Sequence, residues 1–143
     1  MLTGAFNPAG LLTTTVYTEA YAKMTSFRDM TMRPSAPGNP AGRTYKFLDE
    51  NVSTPVWRFG HGLSYTTFDV EIETDASRNK KDDGDVNVAV KLTNTGKLPG
   101  DCVVACFVSL APADTPSTRP PNRALFDFGR EEDVRPGESR TVN

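Results

Sequence analysis

Period-two alternation of apolar and polar side chains is confined to the second half of the chain. Phe68, Val70 and Ile72 alternate with Asp69, Glu71 and Glu73, the signature of a half-buried strand. Val86, Val88, Val90 and Leu92 alternate with Asn87, Ala89, Lys91 and Thr93, which predicts the clearest strand in the sequence. The polar run Arg78 to Asp85 predicts a turn between these strands, and Asn94-Thr95-Gly96 and Pro99-Gly100-Asp101 predict two more. Residues Cys102 to Leu110 are almost continuously apolar, as expected of a strand buried on both faces. Ala111 to Asn122 carries four prolines and no periodicity, so it reads as a long loop. Leu125, Phe126 and Phe128 open another strand, with Phe107, Phe126 and Phe128 at core-like positions. Val134 to Glu138 reads as a turn, and Arg140 to Asn143 begins a final strand.

The first third has a different texture. Pro8, Pro34, Pro37, Pro40 and Pro55 and six glycines punctuate residues 1 to 62. Thr18 to Met24 predicts a short helix, with Thr18 as N-cap and Glu19 in the first turn. Pro34 to Gly42 cannot hold a helix and predicts a loop. With few periodic apolar positions, this region is expected to drape over other structure and not to build a core. The later strands, at their spacing, predict a mostly β, immunoglobulin-like antiparallel sandwich. Four or five strands are legible where such a sandwich has about seven. The expectation is an incomplete domain, cut short at its C-terminus or completed from Thr54–Thr67.

The chain has 143 residues, with 16 Lys and Arg against 18 Asp and Glu, a formal charge of −2. One domain fits this length comfortably. Hydrophobic residues are 37% of the whole, which allows a modest core and argues against intrinsic disorder. The near-neutral balance points to no nucleic-acid or anionic-lipid partner. No run of apolar residues is long enough to cross a membrane, and residues 1 to 8 lack the basic and apolar regions of a signal peptide. Cys102 and Cys106 lie four apart. On one strand that separates them by about 13 Å at ~3.3 Å per residue, whereas a disulfide needs Cα atoms within about 7 Å. They are expected to be small buried apolar groups. Two cysteines and the single His61 are too few for a structural zinc site. Asp82-Asp83-Gly84-Asp85 lacks the acidic spacing of a calcium loop and reads as a solvated turn.

Several segments resemble one family. Gly42-Arg43-Thr44-Tyr45-Lys46-Phe47 is similar to the PGRTYRF motif of glycoside hydrolase family 3, and Phe59 to Phe68 (FGHGLSYTTF) to its FGxGLSYTxF signature. Asn7-Pro8-Ala9-Gly10 with Thr13 to Tyr17 resembles its NPsGrLPvTwYP segment. Thr25 to Pro34 resembles a stretch of its β-xylosidase and α-arabinofuranosidase branch. Val88 to Gly100, Cys102 to Leu110 and Leu125 to Ser139 are similar to the family's fibronectin type III-like domain. Departures are Ala41 between Pro40 and Gly42, Leu12-Thr13 in place of Leu-Pro, Asp127 in place of Gly, and Glu131 in place of an apolar residue. The resemblance implies that residues 1–62 are the tail of an α/β sandwich domain and a linker. Residues 63–143 are then a fibronectin type III-like domain truncated at its C-terminus.

The same resemblance places a nucleophilic Asp and an acid/base Glu in an upstream barrel and α/β domain, which become the implied partners of this chain. Retaining hydrolysis needs two carboxyl groups about 5 Å apart, and no segment here resembles either family motif. The chain alone is therefore expected to be inactive, a structural and stabilising part of a β-xylosidase-like parent, with no catalytic residue, metal or cofactor. The parent family is often secreted or extracellular. Candidate substrate-binding residues are Arg43, for its five fixed donors, Tyr45 and His61. Tyr45, Phe47, Trp57 and Phe59 could stack on sugar rings, although packing at a domain junction is the favoured reading. Asn51-Val52-Ser53 is a glycosylation sequon, and the loop Pro112 to Asn122 is a candidate for oligosaccharide contact. A carbohydrate-binding or adhesion module is the alternative reading and would need an exposed aromatic row.

Overall fold

In the computed structural model, the structure describes residues 4, 6–73, 88–109 and 120–142. The strongest alternation becomes a three-stranded antiparallel sheet. Strands β1 (Phe68–Ile72) and β5 (Ser139–Val142) flank β2 (Val90–Asn94). The register pairs Val70 with Leu92 and Ile72 with Val90, so the apolar residues of β1 and β2 share one face. On the other side Leu92 faces Arg140 and Val90 faces Val142. Central Leu92 is fully buried and Val90 nearly so, whereas Val70 is 48% and Ile72 73% exposed. The half-buried reading of β1 is corrected accordingly: it is an edge strand, and only Phe68 keeps partial cover. Among the described residues β2 starts at Val90 and runs on to Asn94, which had read as a turn residue. Val86 and the Arg78–Asp85 turn lie outside the described residues.

Strands β3 (Gly100–Val108) and β4 (Ala124–Val134) form a two-stranded sheet. In β3 only Gly100 and Val104 are buried and the rest are half-buried or exposed, so burial on both faces is not what this strand has. Among the described residues it pairs with β4 in a sheet of two strands whose faces are only partly covered. Phe126 and Phe128 are 54% and 70% exposed, against the expectation of core positions. Steps of two along β4 lead on to exposed Arg130 and Glu132, and period-two geometry puts all four on one solvent-facing side.

The chain divides into two compact units. One comprises Met1–Gly10, Gly62–Ala105 and Phe128–Asn143, and the other Leu11–His61 and Cys106–Asp127. The first is organised around Asn94, which has no exposed surface. Its Nδ2 donates to the carbonyls of Val134 at 2.8 Å and Leu98 at 2.9 Å. Its Oδ1 accepts from Thr66 Oγ1 at 2.8 Å and from the Gly96 N–H at 2.9 Å. All four side-chain bonds of the amide are thus made inside the unit. Gly96 has no alternative here, since a Cβ would collide with Thr66 Oγ1 and the Thr67 backbone. Asn7 adds a second tie, accepting from Ser64 Oγ and the Tyr65 N–H and donating to the Pro99 carbonyl. At the β4–β5 turn Gly137 takes φ +79° and donates to the Asn94 carbonyl.

In the second unit α1 (Glu19–Met24) forms where predicted, with Thr18 accepting from the Tyr21 N–H. Tyr21 is buried against Ala41 and Leu48, with Tyr17 and Met24 packed alongside. Its ring stacks on Tyr17 at 3.9 Å and its hydroxyl donates to the Gly42 carbonyl at 2.8 Å. Burial, with the Tyr17 hydroxyl nearby, raises the Tyr21 pKa. This region therefore owns a small core, assembled from stacked rings and not from a periodic stripe. A one-turn helix α2 (Thr44–Phe47) follows Gly42, whose φ of +75° and lack of a Cβ allow it to sit against the Phe47 carbonyl. Pro34 to Gly42 is a loop of turns, as predicted, pinned by a bridge between Ser35 and Asn39.

Candidate functional site

Arg43, the first candidate, is committed to backbone. Its Nη2 donates to the carbonyls of Ser26 and Asp29, both at 2.7 Å, and its Nε donates to that of Thr31 at 3.2 Å. The fork of donors thus laces the loop before Pro34 onto the GRTYKF segment. Asp29 completes the knot by accepting from the N–H and hydroxyl of Thr31 and from Ser35 Oγ. Those Thr31 bonds hold its carboxyl below the usual carboxylate range. Buried Asn39 donates to the Thr31 and Arg33 carbonyls from beneath.

His61 is exposed, with its ring nearly parallel to Trp57 at 6.1 Å. Its carbonyl accepts from the Leu12 N–H at 2.8 Å, and Gly60 donates to the Leu12 carbonyl, so the segment is held by backbone pairing. Tyr45 is half-buried and stacks on Phe59 at 4.3 Å, with Phe107 edge-on at 5.7 Å. Its hydroxyl accepts from the Leu125 N–H at 3.4 Å. Phe47 is buried beneath the Arg33 guanidinium, 4.7 Å from the ring centroid. Trp57, at 49% exposure, presents the most open ring of the four.

Of the candidates, the structure brings Tyr45 and Asn51 together at one place. A cavity of about 300 Å³ opens beside them, with Asp49, Glu50, Arg58, Asn122 and Arg123 as its other polar walls. Arg58 grips Glu50 in a two-point bond, Nε to Oε1 at 3.0 Å and Nη2 to Oε2 at 2.5 Å. That bond holds the Glu50 carboxyl below its ordinary value. Asn122 donates from Nδ2 to the Leu48 carbonyl at 2.8 Å and from its backbone to the Lys46 carbonyl at 2.6 Å. The Arg123 guanidinium lies over the Phe107 ring at 4.9 Å. Asn51 is exposed and donates from Nδ2 to Asp49 Oδ1 at 3.1 Å.

Sequence reasoning missed Asp49, Glu50, Arg58 and Arg123, while Asn122 closes the loop it had proposed for oligosaccharide contact. The wall draws on residues from both Tyr45–Arg58 and Asn122–Arg123, far apart in the sequence, and no local spacing announces it. Within the proposed contact loop, Pro112 to Asn122, residues 112–119 lie outside the described residues. A general acid needs a raised carboxyl pKa, and Glu50 is displaced the other way. Cys102 and Cys106 are free thiols, half-buried instead of fully buried. Burial raises the Cys102 pKa. Among the described residues no three His, Cys, Asp or Glu side chains group as a metal site, and no helix is long and apolar enough to cross a membrane.

No model of a known protein family matches the chain. Similar proteins do. A probable exo-1,4-beta-xylosidase of Aspergillus terreus is 35% identical over the whole chain, which covers 19% of that protein. An exo-1,4-beta-xylosidase of Emericella nidulans is 30% identical over 99% of the chain, again 19% of its own length. Among solved structures, a family 3 exo-beta-xylosidase in complex with a xylobiose aziridine activity-based probe superposes with a TM-score of 0.77. It is 30% identical, over 99% of this chain and 20% of that one. Beta-glucosidase 3B of Thermotoga neapolitana follows at a TM-score of 0.67 and 27% identity, over 99% and 20%.

The β-rich architecture is that of a C-terminal part of larger glycosidases. The chain is the counterpart of the C-terminal part of family 3 exo-beta-xylosidases. It spans about a fifth of the length of the relatives it matches.

Proposed function

We propose that the chain is the accessory, non-catalytic C-terminal portion of a β-xylosidase-like enzyme. In this reading residues 1–62 are the tail of an α/β domain and its linker, and residues 63–143 are a fibronectin type III-like domain that steadies a catalytic body. The nucleophile and acid/base belong to a barrel and α/β domain of the same parent, which is a retaining β-glycosidase. The observation that carries this is the match of nearly the entire chain to one fifth of each xylosidase. Arg43 then serves as a loop brace, consistent with its three carbonyl bonds. Asn51 would carry a glycan if the parent is secreted, read out as a mass shift removable by an endoglycosidase.

The test is a graft. The matching C-terminal fifth of the Aspergillus terreus protein is removed, then replaced by this chain. Truncation should abolish soluble, active enzyme, the graft should restore it, and the chain alone should not hydrolyse a chromogenic β-xyloside. Turnover by the purified chain, or full activity of the truncated enzyme, refutes the accessory role. The exposure of Phe126 and of Phe128 favours a second reading, a carbohydrate-binding or adhesion module. Retention of the chain on insoluble xylan, lost on replacing either ring, would select it.

A further inference from the structure

The cavity beside Tyr45 supports more than an accessory role. We propose that it binds one neutral pyranose unit of a saccharide. Its volume of about 300 Å³ stands at the small end of ligand pockets, enough for a single ring and too little for a chain of them. Its charges balance, with Asp49 and Glu50 against Arg58 and Arg123. A phosphate or carboxylate ligand calls for a cationic excess and an amine for an anionic one, and neither excess is present.

What the walls offer instead is a mixture of donors and acceptors. Two amides, Asn51 and Asn122, carry both kinds, the guanidinium groups donate, and the ionised Glu50 carboxylate accepts. Vicinal hydroxyls, each both donor and acceptor, match that set. The walls are also fixed in advance. Glu50 and Arg58 hold each other at two points, Asn122 is anchored to the Leu48 and Lys46 carbonyls, and Tyr45 is backed by Phe59. Such fixing lowers the ordering cost of binding. The Tyr45 ring supplies the apolar surface that the C–H face of a pyranose seeks. The inference is independent of the accessory role, since a sugar can bind here whether or not the chain steadies a catalytic body, and it concerns the chain without a glycan on Asn51, whose Nδ2 the glycosidic bond would take.

The experiment titrates the full 143-residue chain, labelled with nitrogen-15, with D-xylose, xylobiose and D-glucose, following the amide shifts. Saturable shifts are expected at residues 45–51, 58 and 122–123. Arg123→Gln and Asn51→Leu should each weaken binding about fivefold or more, the loss of one or two hydrogen bonds, with the thermal transition unchanged. Absence of saturable shifts overturns the proposal, as does binding indifferent to both variants or shifts confined to Phe126–Phe128. Tighter binding of inorganic phosphate or D-glucuronate than of the neutral sugars overturns it in favour of an anion site. A chain with no cooperative unfolding transition overturns it as well, because walls drawn from distant parts of the sequence exist only when folded.

Discussion

Replacing Asn94 by alanine removes four hydrogen bonds from a fully buried position. The partners left behind are not equivalent. Val134 has no exposed surface and Thr66 only 7%, so the Val134 carbonyl and the Thr66 hydroxyl cannot turn to water. Each such orphan costs about 1–3 kcal/mol. Leu98 is half exposed and Gly96 partly so, and their backbone groups can recover water at a loss nearer 0.5–1.5 kcal/mol together. The total is about 2.5–7.5 kcal/mol, a large share of the 5–15 kcal/mol that holds a typical domain. Urea unfolding followed by circular dichroism should show it, with Lys97→Ala, on an exposed neighbouring side chain, as the unaffected control. Asn94→Asp adds a sign test. Its carboxylate would be buried against two carbonyl oxygens, which raises its folded pKa. Its destabilisation is therefore full at high pH and shrinks as pH falls through that value. A cost below about 1 kcal/mol for the alanine variant, or an aspartate variant indifferent to pH, would refute the view that this amide organises the unit.

Three further outcomes are expected. Arg43→Ala should speed amide exchange across residues 26–39 without global unfolding, and Arg43→Lys should restore little, because one ammonium cannot reach three carbonyls at the guanidinium's spacing. Asp29, Glu50, Asp101 and Glu138 all have folded pKa values below their ordinary ones. Their stabilisation is present above the unfolded carboxylate range and is lost as pH falls through the lowered values, so stability should drop below about pH 4. Asp101→Asn, which weakens the bonds to Arg130 and the Asp133 N–H, should flatten that slope in acid titrations of unfolding. Alkylation under native, non-reducing conditions should label both Cys102 and Cys106, and a mass spectrum showing them joined would refute their placement along one strand.

The sheet strands were legible because each carries its own signal. Val90 and Leu92 alternate with polar neighbours, and the register then buries them. Thr18 announced α1 through its own capping chemistry. Burial was less legible, because it depends on neighbours. Val70 and Ile72 have the same pattern as Val90 and Leu92 and differ only in standing on the edge strand. Phe126 and Phe128 looked like core for their side chains alone, while charged Arg130 and Glu132 on the same face mark it as solvent-facing. Helix α2 escaped notice because its four residues are too short for a helical period, and Gly42 together with the positive φ of Thr44 sets its start. Tyr45, Asn51 and Asn122 were each legible as candidates, but their meeting with Arg58 and Arg123 in one wall was not, since Asn122 and Arg123 reach it from across the chain.

The FGHGLSYTTF segment is where resemblance and physics meet, and the hydrogen bonds say why a sequence there would be hard to vary. Ser64 and Tyr65 are tied to Asn7, and Thr66 to Asn94. The Thr67 carbonyl then accepts from the Thr95 N–H at 2.9 Å, directly before β1 begins. Four consecutive residues thus fasten the start of the sheet to positions near the N-terminus and beyond β2. A hydroxyl at Thr66 cannot become a methyl without orphaning part of the Asn94 amide, and Gly96 cannot gain a Cβ without striking Thr66. These constraints are mutual: each residue is small, polar and fixed because its partner is. The specificity of the motif therefore lies in a polar junction centred on the buried Thr66–Asn94 pair.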